Sequence, residues 1–275
     1  MHQILTGRLQ VEKLTIAIPN LPETLQGTKI VQLSDFHYER WGLSEDLLQA
    51  AIAASNEVSP DLVFLTGDYV TEDPSPIRPL ANSLKSLRAR AGIYAILGNH
   101  DIKKPHSKSL ITDTLTDVGI RVLWNDAVYP LGSGLALVGM AELRSGQFNP
   151  KVLAAVAPEV PRIVLSHNPD TAEFLRPWRV DLQLSGHTHG GQIILPKIGP
   201  APKLLVPIRR RIPEPLRPWI PFMSNCYKVV DRWQWSQGFH RVGKNQLYVN
   251  RGLGTYLPGR LFCPPEVTVF ALAKS

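Results

Sequence analysis

The chain has 275 residues, of which 44% are hydrophobic and 19% charged, and its formal net charge is +7. That apolar content is ample for a buried core and rules out disorder as the default state; the positive balance favours anionic partners, whether phosphorylated substrates, anionic lipid or nucleic acid. Only Cys226 and Cys263 are present, which excludes a disulfide framework or a structural thiolate zinc site and leaves two free thiols or a single bridge, and no run of 18 apolar residues suggests a membrane span.

Met1 to Arg8 lack the basic start, apolar stretch and small-residue cleavage site of a secretory signal, so a soluble or peripheral cytoplasmic protein is expected. From Leu9 to Ile18 apolar and polar residues alternate loosely, which predicts an edge strand ended by Pro19-Asn20-Leu21-Pro22. Lys29 to Ser34 predicts a second strand, and it delivers Asp35-Phe36-His37. Ser44 with Glu45 and Asp46 reads as a helix start, followed by an apolar face of Leu47, Leu48, Ala51, Ile52 and Ala54.

The pattern of strand, polar cluster and helix then repeats. Asp61 to Thr66 leads to Gly67-Asp68, a helix is expected near Leu80 to Arg88, and Gly92 to Leu97 delivers Gly98-Asn99-His100-Asp101. A helix from about Lys108 to Val118 ends at Gly119, as a C-terminal cap would. Strands follow at Ile120 to Leu123 and Leu135 to Met140. Arg162 to Leu165 delivers Ser166-His167-Asn168-Pro169-Asp170, and Asn168 and Pro169 suit the start of a helix through Arg176. Asp181 to Leu184 delivers Ser185-Gly186-His187-Thr188-His189-Gly190-Gly191, and Gln192 to Leu195, Gln246 to Asn250 and Val267 to Leu272 read as closing strands. Continuous apolar strands alternating with helices imply an α/β fold with a sheet covered on both faces.

Pro200 to Pro221 departs from this order. It holds seven prolines together with Lys203, Arg209, Arg210, Arg211 and Arg217, and carries Leu204, Leu205, Val206, Leu216, Trp219 and Ile220. It suits neither helix nor strand. Two readings stand: a proline-stiffened surface excursion, or a basic, Trp-bearing flap that meets anionic lipid. Trp233, Trp235 and Phe239 fit core, flap or lipid contact equally.

Ligands of open α/β sheets collect beyond the carboxyl ends of strands, and every cluster named above lies there. Five of the eight histidines fall in these clusters, whereas His2, His106 and His240 stand alone. Asp35, His37, Asp68, Asn99, His167, His187 and His189 supply more oxygen and nitrogen donors than one four-coordinate cation can use, so two divalent cations are expected, with a carboxylate such as Asp68 able to bridge them. Such a pair, about 3.5–4 Å apart, can hold a hydroxide and clamp a phosphoryl oxygen. The absence of thiolate suits manganese, iron or zinc.

In that order, Asp-x-His, Gly-Asp, Gly-Asn-His-Asp, a lone His and Gly-His-Thr-His resemble the calcineurin-type metallophosphoesterase superfamily. The resemblance runs from about Lys29 to Leu272 and leaves out an insertion at about 200–237. It implies one domain, a sandwich of two mixed β-sheets flanked by helices (α/β/β/α). It also implies one cation on Asp35, His37, Asp68 and His189 and another on Asp68, Asn99, His167 and His187, with His100 facing the phosphoryl group as a proton donor and Asp101 orienting it. An imidazole so placed contributes about 10²- to 10⁴-fold to a hydrolysis; Asp101 reads also as a cap of the next turn.

A narrower similarity rests on Ser166 to Asp170, Gly190-Gly191-Gln192, Asn250-Arg251-Gly252-Leu253-Gly254, Arg260 and Pro264-Pro265-Glu266. These look like the bacterial phosphodiesterases that include UDP-2,3-diacylglucosamine pyrophosphate hydrolases of lipid A synthesis. The expected activity is hydrolysis of a phosphodiester or pyrophosphate bond, in a phosphorylated small molecule or a UDP-linked lipid, with Arg251 and Arg260 as candidate substrate contacts. Arg251 reads equally as a salt-bridged residue beside a glycine turn. A phosphomonoesterase or nuclease is the alternative enzyme, and a non-catalytic basic module that binds membrane or nucleic acid is the non-enzyme reading.

Overall fold

A computed structural model describes residues 6–39, 42–219 and 229–275. In chain order the strands are β1 (Gln10–Ile18), β2 (Lys29–Leu33), β3 (Leu62–Leu65), β4 (Ile93–Ala95), β5 (Ile120–Val122), β6 (Asp126–Val128), β7 (Ala136–Gly139), β8 (Arg162–Leu165), β9 (Leu182–Ser185), β10 (Ile194–Leu195), β11 (Gly199–Pro200), β12 (Gly238–Val242), β13 (Asn245–Val249) and β14 (Glu266–Lys274). The α-helices are α1 (Glu45–Glu57), α2 (Ile77–Leu84), α3 (Ser107–Asp117), α4 (Thr171–Phe174) and α5 (Ala201–Arg211).

Two six-stranded mixed sheets form, in the orders β1-β14-β2-β3-β4-β5 and β12-β13-β9-β8-β7-β6. Within the first, β2 through β5 run parallel; within the second, β13, β9, β8 and β7 do. The parallel blocks come from the strand-helix repeat in the sequence, because a parallel neighbour needs a crossover long enough to hold a helix.

Side-chain alternation explains the layering. Ile30, Leu62, Phe64, Ile96 and Phe270 from the first sheet pack against Leu137, Ile163, Leu165, Leu182 and Leu184 from the second, so the sheets stack face to face. Their immediate sequence neighbours Val31, Val63 and Val269 point the other way and bury the apolar stripes of α1, α2 and α3. The outer face of the second sheet is covered more thinly, by Leu153 and Val156 beside Val138 and Val164, and by Trp235 beside Val249. The expected sandwich of two sheets flanked by helices is the observed fold. Each fully buried Leu, Ile or Phe here contributes about 1.5–3 kcal/mol.

Ser44 caps α1, its Oγ accepting the Leu47 N–H at 3.3 Å. β1 is an edge strand, as its loose alternation predicts. Other expectations are corrected. The helix expected near Leu80 to Arg88 lies at Ile77–Leu84, β10 keeps only two residues of Gln192 to Leu195, and the short or half-exposed strands β6 and β12 were not foreseen. The stretch from Pro200 is not devoid of regular structure: Ala201–Arg211 is helical, with a proline in the first turn, where its missing N–H has no helical partner to lose. Beyond it, Val230, Trp233 and Trp235 are buried, so the later part of the expected insertion is core, whereas Phe239 is 40% exposed. Cys226 and Ile220 lie outside the described residues, and Cys263 is a buried free thiol. Among the described residues no helix is long and apolar enough to cross a membrane.

Candidate metal centre

The loops after β2, β3, β4, β8 and β9 meet at one end of the sandwich and are stitched to one another by backbone hydrogen bonds. Asp35 N–H donates to Gly67 O (2.9 Å), His37 N–H to Asp68 O (3.0 Å), Gly186 N–H to His167 O (3.0 Å), and Gly254 N–H to Asp35 O (2.7 Å). Close approach requires glycine at two points. A Cβ at Gly98 would overlap the Asp68 carboxylate and one at Gly186 would overlap Ser34 and Asp35. Asp35, His37, Asp68, His187 and His189 all adopt left-handed backbone, with φ between 42° and 72°. For non-glycine residues such conformations cost about 1–3 kcal/mol each and persist at functional sites. They turn each side chain inward immediately beyond its strand.

Six side chains form two buried triads, Asp35-His37-His189 and Asp68-His167-His187, with donor atoms within 4.8 Å of one another in each. His37 Nε2 and His189 Nε2 are 3.0 Å apart, and His167 Nε2 and His187 Nδ1 are 3.1 Å apart. Ligands at about 2.0–2.1 Å from one cation sit roughly 3.0–3.4 Å from each other, so these spacings match neighbouring positions around a shared ion. Asp68 Oδ2 joins the triads, 3.5 Å from His37 Nε2 and 3.1 Å from His167 Nε2. Asn99 Oδ1 is buried with no hydrogen-bond partner, as a further donor to a cation would be.

The remaining ring nitrogens are tied to the protein, which fixes which nitrogen faces the site. His167 Nδ1 donates to Thr66 O (2.7 Å), His187 Nε2 to Val229 O (2.7 Å), and His189 Nδ1 to Gly254 O (3.2 Å). His37 Nδ1 lies 3.2 Å from the Thr71 hydroxyl and 2.7 Å from the Tyr256 hydroxyl.

Burial pushes His37 down to about 4 and His187 down to about 3, and with the His37 ring and the Arg260 guanidinium beside it, it holds His189 well below the imidazole range. These three rings are neutral, with lone pairs available. Burial raises Asp35 to about 6. It would depress His167, but the Asp68 carboxylate, with Asp35 adding, outweighs it and carries that ring up to about 10. In turn Asp68, which burial alone would raise, is held well below the carboxylate range by the His167 and His100 charges and by hydrogen bonds from His167 and His37. Two buried carboxylates thus demand positive charge between them. The donor set, three neutral imidazoles and His167, whose proton a bound cation would displace, with two carboxylates and a carboxamide, fits two candidate sites for divalent cations.

His100 stands at the rim, and Thr71 O, 2.8 Å from its Nδ1, orients it. Asp101 was expected to do so. Instead its buried carboxylate accepts backbone N–H groups from Asp68 and Gly98 on one oxygen and from Tyr69 and Val70 on the other, and among the described contacts none reaches His100. The contacts of Arg251 and Arg260 likewise give no support to substrate binding. Arg251 pairs with Glu12 and Glu266, each at 2.8 Å. The buried Arg260 guanidinium donates to the carbonyls of Arg251, Gly252, Gly254 and Cys263. Both props hold the loop whose Gly252 and Gly254 lie against Asp35.

Sequence reasoning missed Thr66, Thr71, Val229 and Tyr256. The first and third act through backbone carbonyls, which carry no residue signature. Thr71 and Tyr256 follow no strand end directly.

Comparison with known proteins agrees with this geometry. Phosphodiesterase YaeI of Escherichia coli is 37% identical over 250 residues, taking in 89% of this chain and 82% of that one. The metallophosphoesterase YkuE of Bacillus subtilis is 33% identical over 273 residues, 95% of this chain and 84% of that one. UDP-2,3-diacylglucosamine pyrophosphatase LpxG of Chlamydia muridarum is 27% identical over 314 aligned residues, 95% of this chain and 88% of that one. Residues 28–191, which carry both triads, match the calcineurin-like phosphoesterase family, and the chain therefore belongs to that family of metal-dependent hydrolases of phosphoric ester and anhydride bonds.

Proposed function

We propose that this chain hydrolyses a phosphodiester or pyrophosphate bond in a lipid-linked substrate of the UDP-2,3-diacylglucosamine type, at a surface of anionic lipid. Asp35, His37, Asp68 and His189 would hold one divalent cation and Asp68, Asn99, His167 and His187 the other, with manganese, zinc or iron suited to the donors. When bound, such a pair supplies the Lewis acidity that activates water at neutral pH and offsets phosphoryl charge. The observation that carries the reading is Asp68: its Oδ2 faces one imidazole of each triad, while its Oδ1 accepts the His100 N–H at 2.9 Å. One carboxylate thereby links both candidate cation sites to the residue placed to act on substrate.

The Thr71 contact at Nδ1 leaves Nε2 as the nitrogen of His100 with which a proton can pass to the departing oxygen. A lipid-linked substrate is favoured by the segments that follow His187–Gly191 and Tyr256 in the chain. Ile198, Leu204, Ile208, Trp219, Leu257 and Phe262 are exposed, Trp219 at 85%, and Lys197, Lys203 and Arg211 are exposed among them. Exposed apolar and cationic side chains interspersed along such segments suit an anionic interface.

The test compares an aryl phosphomonoester, an aryl phosphodiester, single-stranded DNA and UDP-2,3-diacylglucosamine, each with manganese, zinc or iron. Turnover of the nucleotide-lipid and the diester, abolished by chelation, is expected, together with sedimentation on anionic but not zwitterionic vesicles. Preference for the monoester or DNA, or no metal-dependent turnover of any substrate, overturns the reading.

A further inference from the structure

Tyr256 occupies the gap between a candidate metal ligand and the candidate proton donor. Its hydroxyl lies 2.7 Å from His37 Nδ1, 3.0 Å from His37 Nε2 and 3.5 Å from His100 Nε2. Reaching two nitrogens of one ring at once places that oxygen over the His37 ring, on the side facing His100, instead of in line with a single lone pair. The ring planes of His37 and Tyr256 are tilted by 60°, consistent with that placement.

His37 has a second partner for Nδ1. A ring nitrogen makes one strong hydrogen bond, and the Thr71 hydroxyl, 3.2 Å from Nδ1, already offers it. One of the two hydroxyls is therefore surplus and available to a third group. The Tyr256 backbone, by contrast, is pinned: its N–H donates to Gln192 Oε1 at 2.7 Å, and the Thr255 hydroxyl donates to the same oxygen at 2.9 Å. Gln192 follows His189-Gly190-Gly191 and is itself in left-handed backbone, φ 55°. The loop that carries His189 thus also sets the position of Tyr256.

We propose that Tyr256 is a further catalytic residue, whose phenol donates a hydrogen bond to a non-bridging oxygen of the phosphoryl group as it is attacked. This rests on the phosphoesterase reading above. In that transition state charge spreads over the equatorial oxygens, and a neutral donor already in place gains strength as the charge grows. The phenol adds no net charge to a site that is to hold two cations, so it does not compete with them as a lysine or arginine would.

The test is Tyr256→Phe, which removes one oxygen and leaves the ring. On metal-loaded protein kcat/KM for an aryl phosphodiester is expected to fall about 100-fold, in the range found for loss of one such donor. Metal content by elemental analysis is expected to stay that of wild type, and inorganic phosphate, titrated calorimetrically, is expected to bind at least ~10-fold more weakly. Gln192→Ala, which frees the Tyr256 backbone, is expected to give an intermediate loss. Loss of metal from Tyr256→Phe would make the residue a support of His37 and overturn the proposal, as would unchanged kcat/KM and phosphate affinity. If wild-type protein turns over no phosphoester, the reading of the previous section fails, and the phosphate titration still decides this one.

Discussion

Replacing Asp101 by asparagine separates two roles for a buried acid beside His100. The Asp101 carboxylate takes Asp68 N–H and Gly98 N–H on Oδ2, each at 2.8 Å, and Tyr69 N–H at 2.8 Å and Val70 N–H at 3.4 Å on Oδ1. Asparagine has one acceptor oxygen, so whichever way the amide turns, two backbone donors face an NH₂ group. The cheaper orientation keeps the oxygen toward Asp68 and Gly98, orphans Tyr69 N–H and breaks the longer hydrogen bond from Val70. A buried donor left unpaired costs about 1–3 kcal/mol, and one strong and one weak bond broken come to about 2–4 kcal/mol. That is a large part of an ordinary domain's stability of about 5–15 kcal/mol, yet leaves the protein folded. Urea unfolding of the metal-loaded protein should show a lower midpoint with the slope unchanged. Metal content should fall too, because the loop that loosens carries Asp68. An unchanged midpoint with a lower kcat would refute this reasoning and return Asp101 to the role of orienting His100.

Two further outcomes follow from the same contacts. In Asp68→Asn the amide oxygen stays with the His100 N–H and the NH₂ group faces His37 and His167, so both cations and at least ~10³-fold of hydrolysis should disappear together, read by elemental analysis and turnover. His100→Ala should lower kcat by about 10²- to 10⁴-fold for an alkyl phosphodiester and much less for a p-nitrophenyl diester, whose leaving group needs no proton, with metal content unchanged.

Much of the site was legible because its chemistry sits in side chains at strand ends. Asp35, His37, Asp68, His167, His187 and His189, which the sequence groups by residue type and position, meet in the two triads, and Ser44 caps α1 as its pattern implies. What escaped has physical reasons. Thr66 and Val229 act through carbonyls that any residue could supply, one of them from 42 residues beyond His187. Tyr256 reaches His37 across 219 residues from a loop with no strand-end signal. Arg251 reads from sequence equally as a phosphate contact or a salt-bridged residue because its partners Glu12 and Glu266 come from opposite ends of the chain, joined only when β1 pairs with β14. The helix Ala201–Arg211 was hidden by its prolines, although Pro202 falls in the first turn, where no helical hydrogen bond is lost.

Seven side chains scattered along the chain would hold two cations, with Asp68 shared between them. Anomalous diffraction from crystals of protein loaded with manganese or zinc, paired with elemental analysis, decides whether they do. Two ions per chain, about 3.5–4 Å apart with Asp68 between them, are predicted. A single ion, or ions bound away from Asp68, would contradict it.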